Sequence, residues 1–328
     1  MSSPSRRHGM GALAQLARGI LGREYMLGLP AACLAAALLV PRTGAGRGVA
    51  PTPAADTAHV TMPAAAHEVL RVCADPNNLP FSSRAGEGFE NHLAALLAQA
   101  MGVRVQYTWW PQRRGFLRHT LDAKRCDVIM GIPPGYPGVL TTRPYYRSTY
   151  VFVTRADRHY ALHSLNDAVL HHVRIGLQFT GGRANPPAEH ALARRHIVRN
   201  IVAYSIYGDY ARPNPPARLI DAVARGDVDV AIAWGPLAGY FARREPVPLR
   251  ITPVSPAVDG PGVSFVFDIA LGVAQGDTAR RNALQRALDA ERGQVARLLQ
   301  EYGVPLLPDS EPLAPVQART ITTAAGEQ

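Results

Sequence analysis

The chain has 328 residues, of which 47% are apolar and 18% are charged, an ordinary balance for a folded globular protein. Its formal net charge is +10, but the positive residues are scattered rather than gathered in the basic runs of a nucleic-acid-binding protein. We therefore expect no nucleic-acid partner, and two interpretations stay open: a soluble basic protein, or docking to an acidic partner. The length is sufficient for two domains.

The N-terminus has the pattern of an export signal. Arginines up to Arg23 precede an apolar run from Met26 to Val40, and small residues follow the run. The run is shorter than the roughly 20 residues that span a bilayer. We predict a signal peptide over residues 1–45, cleaved after Ala45 or Ala50, a periplasmic location, and no membrane span after cleavage. A retained anchor is the alternative.

Strands and helices alternate in the first part of the chain. The patterns predict strands over 69–75, 103–109 and 128–131, and helices over 89–101 and 116–121. A β-α-β-α-β series implies a parallel sheet with right-handed crossovers, in which the carboxyl ends of the strands collect functional groups. A long strand over 145–153, dense in aromatic and β-branched residues, follows this series.

The pattern then starts again. We predict helices over 165–170, 188–196 and 219–224, strands over 173–178 and 228–233, a return at 249–254, a strand over 265–273 and closing helices over 278–302. The predicted fold class is α/β, with two parallel-sheet lobes joined by two hinge crossovers. Lobe I comprises 68–155 and 252–308, lobe II comprises 156–251, and 46–67 and 309–328 are a disordered linker and tail.

A small ligand usually sits in the cleft between two such lobes. The candidate cleft residues are Asp75, Asn77, Asn78, Phe81, Glu90, Trp109, Trp110, Arg113, Arg114, Tyr145, Tyr146, Arg147, Gln178, Thr180 and Trp234. Alternation along a strand sends successive side chains to opposite faces, so we expect about half of the aromatic rings to line the cleft. The sequence has no metal-binding, nucleotide-binding or nucleophile-elbow motif, and we predict no cofactor, no metal and no catalytic residue.

Cys73 and Cys126 are the cysteines that remain if the signal is removed. Exported pairs tend to be oxidised, which favours a disulfide. The predicted register argues against one, because Cys73 lies near the end of its strand and Cys126 opens its own. An offset of about three residues at roughly 3.3 Å each exceeds the reach of a disulfide. Both alternatives stay open.

Several strings resemble a known family, the periplasmic solute-binding proteins of type II. They are RVCADPNNLPFS (71–82), GEGFEN (86–91), PQRRGF (111–116), CDVIMG (126–131) and TTRPYYRSTYVFV (141–153). Together they look like its quinoprotein-dehydrogenase-associated branch, the MoxJ/XoxJ type. The resemblance implies a non-enzymatic accessory protein that assists a methanol or alcohol dehydrogenase dependent on pyrroloquinoline quinone (PQQ). The implied partners are that dehydrogenase or its c-type cytochrome, with a small molecule or peptide in the cleft.

Amino-acid receptors of the wider family usually carry an arginine upstream of the crossover and an acidic residue after the second-lobe strand. Here Arg143 is the first arginine of that interval, beside Pro144, and Trp234 takes the acidic place. We expect no amino-acid binding and a broad aromatic cleft, with Arg113 and Arg114 at its rim steering an acidic partner.

Two other functions remain open. The first is a transport receptor for a non-amino-acid solute. The second is a periplasmic dehydratase-like enzyme, which would need a cleft acid with a raised pKa, such as Asp75, Glu87 or Glu90.

Overall fold

The computed structural model describes residues 68–179, 186–206, 210–260 and 262–308. The predicted signal peptide, linker and tail lie outside the described residues, and so does Thr180. Within the described ranges, no helix combines the length and the apolar composition that crossing a membrane requires.

The first half of the fold begins with the predicted strand-helix alternation. Its elements are β1 (Val69–Ala74), β2 (Asn77–Asn78), β3 (Ser82–Ser83), α1 (Phe89–Met101), β4 (Arg104–Trp109), α2 (Phe116–His119), β5 (Val128–Ile132) and β6 (Val139–Thr141). The helix α1 buries Phe89, Leu93 and Leu97 on one face, and it ends at Gly102, which adopts the left-handed conformation that glycine tolerates best.

The long strand β7 (Tyr146–Arg155) leads into the second half. The remaining elements are β8 (Ile175–Phe179), α3 (Pro187–Arg194), β9 (Ile201–Ser205), α4 (Arg218–Arg225), β10 (Val230–Trp234), α5 (Gly235–Ala242), β11 (Leu249–Pro253), β12 (Val266–Ala274), α6 (Thr278–Ala290) and α7 (Arg292–Glu301).

Ten of the twelve described strands form one sheet, whose main path has the order β4-β1-β5-β12-β7-β10-β8-β9, with β6 paired to β12 and β11 paired to β7. The strands β2 and β3 pair with each other in a separate small sheet. Parallel pairing joins β1 to β4 and β5, and joins β8 to β9 and β10. The strand β7 belongs to both halves, because residues 146–149 pair with β12 whereas residues 150–155 pair with β10 and β11. This architecture confirms the predicted α/β fold class, and the exact lobe boundaries stay a prediction.

The predicted return at 249–254 contains β11 (Leu249–Pro253), which runs antiparallel to β7 from Arg155 back to Val151. The backbone N–H of Val254 then donates to the carbonyl of Tyr150, and β12, which follows, pairs with residues 146–149 of β7. The crossing from one lobe to the other stays a prediction, together with the lobe boundaries.

Leu79 links the two halves through apolar packing. It lies in the loop after β1, yet it is 4% exposed and belongs to the same buried cluster as Ile206, Leu219 and Leu237 of the second half. Burying a leucine side chain stabilises the folded state by roughly 1.5–3 kcal/mol. The loop after β1 is therefore part of the second half's core as well as of the first half's surface.

The structure joins Cys73 and Cys126 in a disulfide, with their Cα atoms 5.4 Å apart. Cys73 pairs in register with Ile129, so the predicted three-residue offset is correct. The argument against bonding fails because Cys126 precedes β5 and the chain there is bent rather than extended. The backbone N–H of Asp127 donates to the carbonyl of Arg71, and the Asp127 carboxylate pairs with the Arg71 guanidinium.

Candidate functional site

The loop after β1 is organised by the carboxylate of Asp75, which is 2% exposed. It accepts hydrogen bonds from the backbone N–H of Asn77 (2.8 Å), the backbone N–H of Gln112 (2.6 Å) and the hydroxyl of Tyr210 (2.9 Å). The Asn77 side chain donates to the carbonyl of Arg212. Tyr210 and Arg212 precede α4, so these bonds tie the loop to the second half.

Two adjoining cavities lie beside this loop, and we call them together the cleft. Both are lined by Phe81, Trp234 and Ile269. The larger cavity has a volume of about 240 Å³ and is completed by Pro133, Tyr150, Gln178, Leu237 and Phe267. The smaller has a volume of about 130 Å³ and is completed by Asn78, Glu90, Gln112, Gly131 and Tyr146.

Trp234 forms the wall that the two cavities share. Its ring centroid lies 5.4 Å from that of Tyr150 and 5.8 Å from that of Phe267. The ring is therefore held from both halves, at the place where β10 ends.

Glu90 brings an ionisable group into the smaller cavity. It is the second residue of α1, it is half-buried, and its carboxyl lies so close to Gly131 that a Cβ atom there would overlap it. Burial, and secondarily the nearby carboxylate of Asp75, raises the pKa of Glu90 to about 8, so at pH 7 the side chain is mostly a neutral acid. The carboxyl faces the cavity and makes no hydrogen bond within the described residues.

Two buried amide side chains of the cleft have an unpaired acceptor. The Oδ1 atom of Asn78 and the Oε1 atom of Gln178 have no hydrogen-bond partner in the described part of the chain, although these residues are 2% and 7% exposed. The Nδ2 group of Asn78 donates to Gln112 Oε1 at 2.8 Å, which fixes the orientation of the amide. The unpaired oxygens therefore add acceptor capacity to both cavities.

The lining of the cleft contains no lysine or arginine among the described residues. Those residues also contain no group of three or more His, Cys, Asp or Glu side chains arranged to hold a metal ion. The chain has a net charge of +10, whereas the described lining of the cleft consists mainly of hydrogen-bond acceptors, aromatic rings and aliphatic side chains.

The structure brings six predicted site residues together in the cleft lining: Asn78, Phe81, Glu90, Tyr146, Gln178 and Trp234. Asp75 and Asn77 lie beside it and hold the loop. Tyr145 lies outside the cleft, where its hydroxyl donates to the carbonyl of Met130.

The structure places Trp109 and Trp110 outside the cleft lining. Trp109 stacks on Tyr107 with ring centroids 4.6 Å apart, and Trp110 stacks on His119 at 4.5 Å. The reason is that β4 is the edge strand of the sheet, so its end lies to the side of the cleft rather than over it. In place of the expected broad groove, the cleft consists of two small cavities, and contact of these tryptophans with a partner stays a prediction.

The predicted arginines also lie away from the cavities. Arg147 is mostly buried and lies 3.6 Å from the carboxylate of Asp268, while Arg113 and Arg114 are exposed in the loop after β4. Arg143 pairs with Asp289 of α6 at 2.7 Å and is exposed. The described lining of the cleft contains no arginine.

Sequence reasoning missed several lining residues. They are Gln112, Gly131, Pro133, Tyr150, Leu237, Phe267 and Ile269. For Gln112 a signal existed, because it follows β4 at the predicted functional edge of the sheet. Tyr150 and Phe267 come from the middle and the start of long strands, and their position depends on the pairing of β7 with β12, which local patterns do not reveal.

A comparison with protein families matches residues 70–305 to a model described as bacterial extracellular solute-binding proteins, family 3. Among curated proteins, "Protein MoxJ" of Methylorubrum extorquens is 36% identical over 279 residues, which cover 80% of this chain and 90% of that protein.

Comparison with solved structures finds proteins of the same type. MxaJ from Methlophaga aminisulfidivorans MPT aligns with a TM-score of 0.61 and 27% identity, over 73% of this chain and all of that chain. The periplasmic binding protein XoxJ from Methylobacterium extorquens AM1 aligns with a TM-score of 0.60 and 33% identity, with the same coverage. These relatives agree with the family whose strings the sequence resembles.

Proposed function

We propose that this chain, a MoxJ-type member of the bacterial extracellular solute-binding proteins of family 3, is a periplasmic accessory protein of a PQQ-dependent methanol dehydrogenase system. In this proposal it acts by binding the dehydrogenase or its c-type cytochrome, and it has no catalytic role of its own. The observation that carries the proposal is the likeness to MoxJ over 80% of the chain.

The composition of the cleft supports a role other than amino-acid uptake. An amino-acid receptor needs a cation for the ligand carboxylate, and each charge-assisted hydrogen bond of this kind contributes roughly 1.5–3 kcal/mol. The described lining has no such cation, and Trp234 takes the place of the acidic anchor. A receptor for another small solute is the second candidate, and the small volumes of the two cavities favour it.

The alternative function, a dehydratase-like enzyme, requires a cleft acid with a raised pKa, and Glu90 meets that condition. The family and the named relatives are of the binding type, so we retain a binding function. Turnover of a prephenate-like substrate by the purified protein would overturn this choice.

The proposal predicts that the affinity-tagged protein captures the dehydrogenase or the cytochrome from a periplasmic extract. Deleting the gene is expected to lower dehydrogenase activity or to leave the dehydrogenase immature. Unchanged activity and maturation after deletion would rule out the accessory role. A permease gene beside this gene, together with closure on one metabolite in scattering experiments, would favour the transport receptor instead.

Trp234 and Trp109 form a matched pair for locating the partner site. If the partner enters the cleft, Trp234→Ala should weaken its binding by roughly 10- to 30-fold, as is typical when an aromatic contact residue is truncated. Trp109→Ala should leave the affinity nearly unchanged, because that ring lies outside the cleft lining. Affinities and melting temperatures should be measured together. If Trp109→Ala weakened binding more than Trp234→Ala, the partner would bind at the end of β4 instead of in the cleft.

A further inference from the structure

A group of cations lies beside the end of the edge strand β4, outside the cleft lining. The chain runs there from the end of β4 through α2 and back to Cys126, and the five exposed cations of residues 110–125 are Arg113, Arg114, Arg118, Lys124 and Arg125, which we call the basic face. The same stretch contains one acidic residue, Asp122. None of the described ion pairs includes a cation of the basic face, whereas Arg71, Arg174 and Arg195 each pair with an aspartate.

Side-chain contacts hold the basic face together. The ring of Trp110 is stacked on His119 with centroids 4.5 Å apart, and the guanidinium of Arg125 lies over the Trp110 ring, 5.9 Å from its centroid. The guanidinium of Arg118 donates to Nε2 of His119 at 3.3 Å. A guanidinium that lies over a ring keeps the N–H groups at its edge available for a carboxylate. Because Arg118 and Arg125 are restrained in the free protein, they lose less side-chain entropy when a partner binds.

The chemistry of the basic face selects an anionic partner and favours a protein. Neighbouring cations without a counter-charge repel one another, and the carboxylates of a partner relieve that repulsion. A membrane-binding surface needs apolar side chains that insert into the bilayer, and no large apolar side chain of residues 110–125 is exposed. A surface for single-stranded nucleic acid needs aromatic rings that are free to stack on bases, whereas Trp109 is stacked on Tyr107 and Trp110 on His119.

We propose that the basic face is a docking site for an acidic protein surface, whose aspartate and glutamate side chains pair with Arg113, Arg114 and Arg125. The inference rests on the proposed function for the identity of the partner and adds the surface of this chain that the partner contacts. It corresponds to the outcome in which the partner binds at the end of β4 instead of in the cleft. Trp234→Ala should therefore leave the affinity nearly unchanged.

The test is titration of the natural protein and of an Arg113→Glu, Arg114→Glu variant with the purified dehydrogenase and with the purified cytochrome. The variant should bind its partner at least about tenfold more weakly, because attraction becomes repulsion at two positions. An Arg250→Glu, Arg297→Glu variant is the matched control, since both arginines are exposed, lie on β11 and α7, and take part in none of the described ion pairs. It has the same net charge as the first variant and should bind within about twofold of the natural protein.

The salt dependence distinguishes docking through charge from an indirect structural effect. Raising the salt concentration from about 50 mM to about 300 mM should weaken binding of the natural protein and of the control in parallel, because salt screens charges beyond the Debye length. The affinity of Arg113→Glu, Arg114→Glu should change less over this range. The three proteins should have the same melting temperature, because neither Arg113 nor Arg114 has a side-chain hydrogen bond within the described residues.

The outcomes separate this inference from the proposed function. If the natural protein binds the dehydrogenase or the cytochrome and Arg113→Glu, Arg114→Glu binds it equally well, the accessory role stands and the docking site is wrong. If the natural protein binds neither, the proposed partner is wrong, and a glutamate-rich peptide and its glutamine counterpart then test the basic face alone. Binding of the glutamate peptide that only Arg113→Glu, Arg114→Glu loses supports the docking site, and no binding of that peptide overturns it. Tighter binding of phosphatidylglycerol vesicles or of single-stranded DNA than of the acidic protein or peptide also overturns it.

Discussion

Loss of the Cys73–Cys126 disulfide is expected to lower the free energy of unfolding by about 4 kcal/mol. The two cysteines are separated by 53 residues. Cross-linking a loop of that length removes about this much conformational entropy from the unfolded chain in the chain-entropy relation. The bond also lies in a small buried cluster with Leu121, Ile129 and Ile132, so the cysteine side chains contribute apolar packing as well.

The measurement is denaturant unfolding of the mature chain with and without a reducing agent. A Cys73→Ala, Cys126→Ala variant provides the control, because the reducing agent should leave its unfolding curve unchanged. Two free thiols titrated in the unfolded, unreduced natural protein would contradict the pairing.

Local sequence patterns were sufficient to predict most of the helices and strands of the first half. The predicted helix over 89–101 coincides with α1, because its apolar spacing and the glycine that follows are both local signals. The strand over 145–153 was also predicted, since β-branched and aromatic residues dominate it. Its role as the strand shared by both halves followed from its place between two α/β series.

Two elements that were not predicted from the sequence each have a physical explanation. The helix α5 was not predicted, because it begins at Gly235 and Pro236 directly after β10, where proline is tolerated since the first N–H groups of a helix have no internal partner. The strand β9 was not predicted, because it follows α3 without a marked apolar alternation and is stabilised by its pairing with β8.

About half of the described cleft lining could be predicted from the sequence, for a similar reason. Asn78, Phe81, Glu90 and Trp234 lie at predicted strand ends or at the start of α1, and the edge rule for parallel sheets brought them together. Trp109 and Trp110 obey the same rule but belong to the edge strand. The position of a strand within the sheet depends on long-range pairing, which a single sequence does not reveal.

Ionisation of Glu90 is expected to destabilise the folded protein by about 1.4 kcal/mol per pH unit between pH 4.5 and 8, relative to Glu90→Gln. The sign follows from proton binding. Burial, and secondarily the carboxylate of Asp75, raises the pKa of Glu90 in the folded state to about 8, well above its ordinary value. Across that interval the unfolded chain binds fewer protons, so stability falls as the pH rises. Above pH 8 the difference levels off at about 5 kcal/mol.

The position of Glu90 in the first turn of α1 opposes this effect, because the positive end of the helix dipole favours a carboxylate by about 0.3–1 kcal/mol. Burial is the larger contribution, and the slope should remain negative. Unfolding curves of the natural protein and of Glu90→Gln are compared from pH 5 to 9, with Glu87→Gln expected to run parallel to the natural protein. If the curves of Glu90→Gln and the natural protein are parallel, Glu90 titrates as an ordinary exposed acid. If they diverge as the pH rises, the buried carboxylate of Glu90 destabilises the folded state when it is ionised.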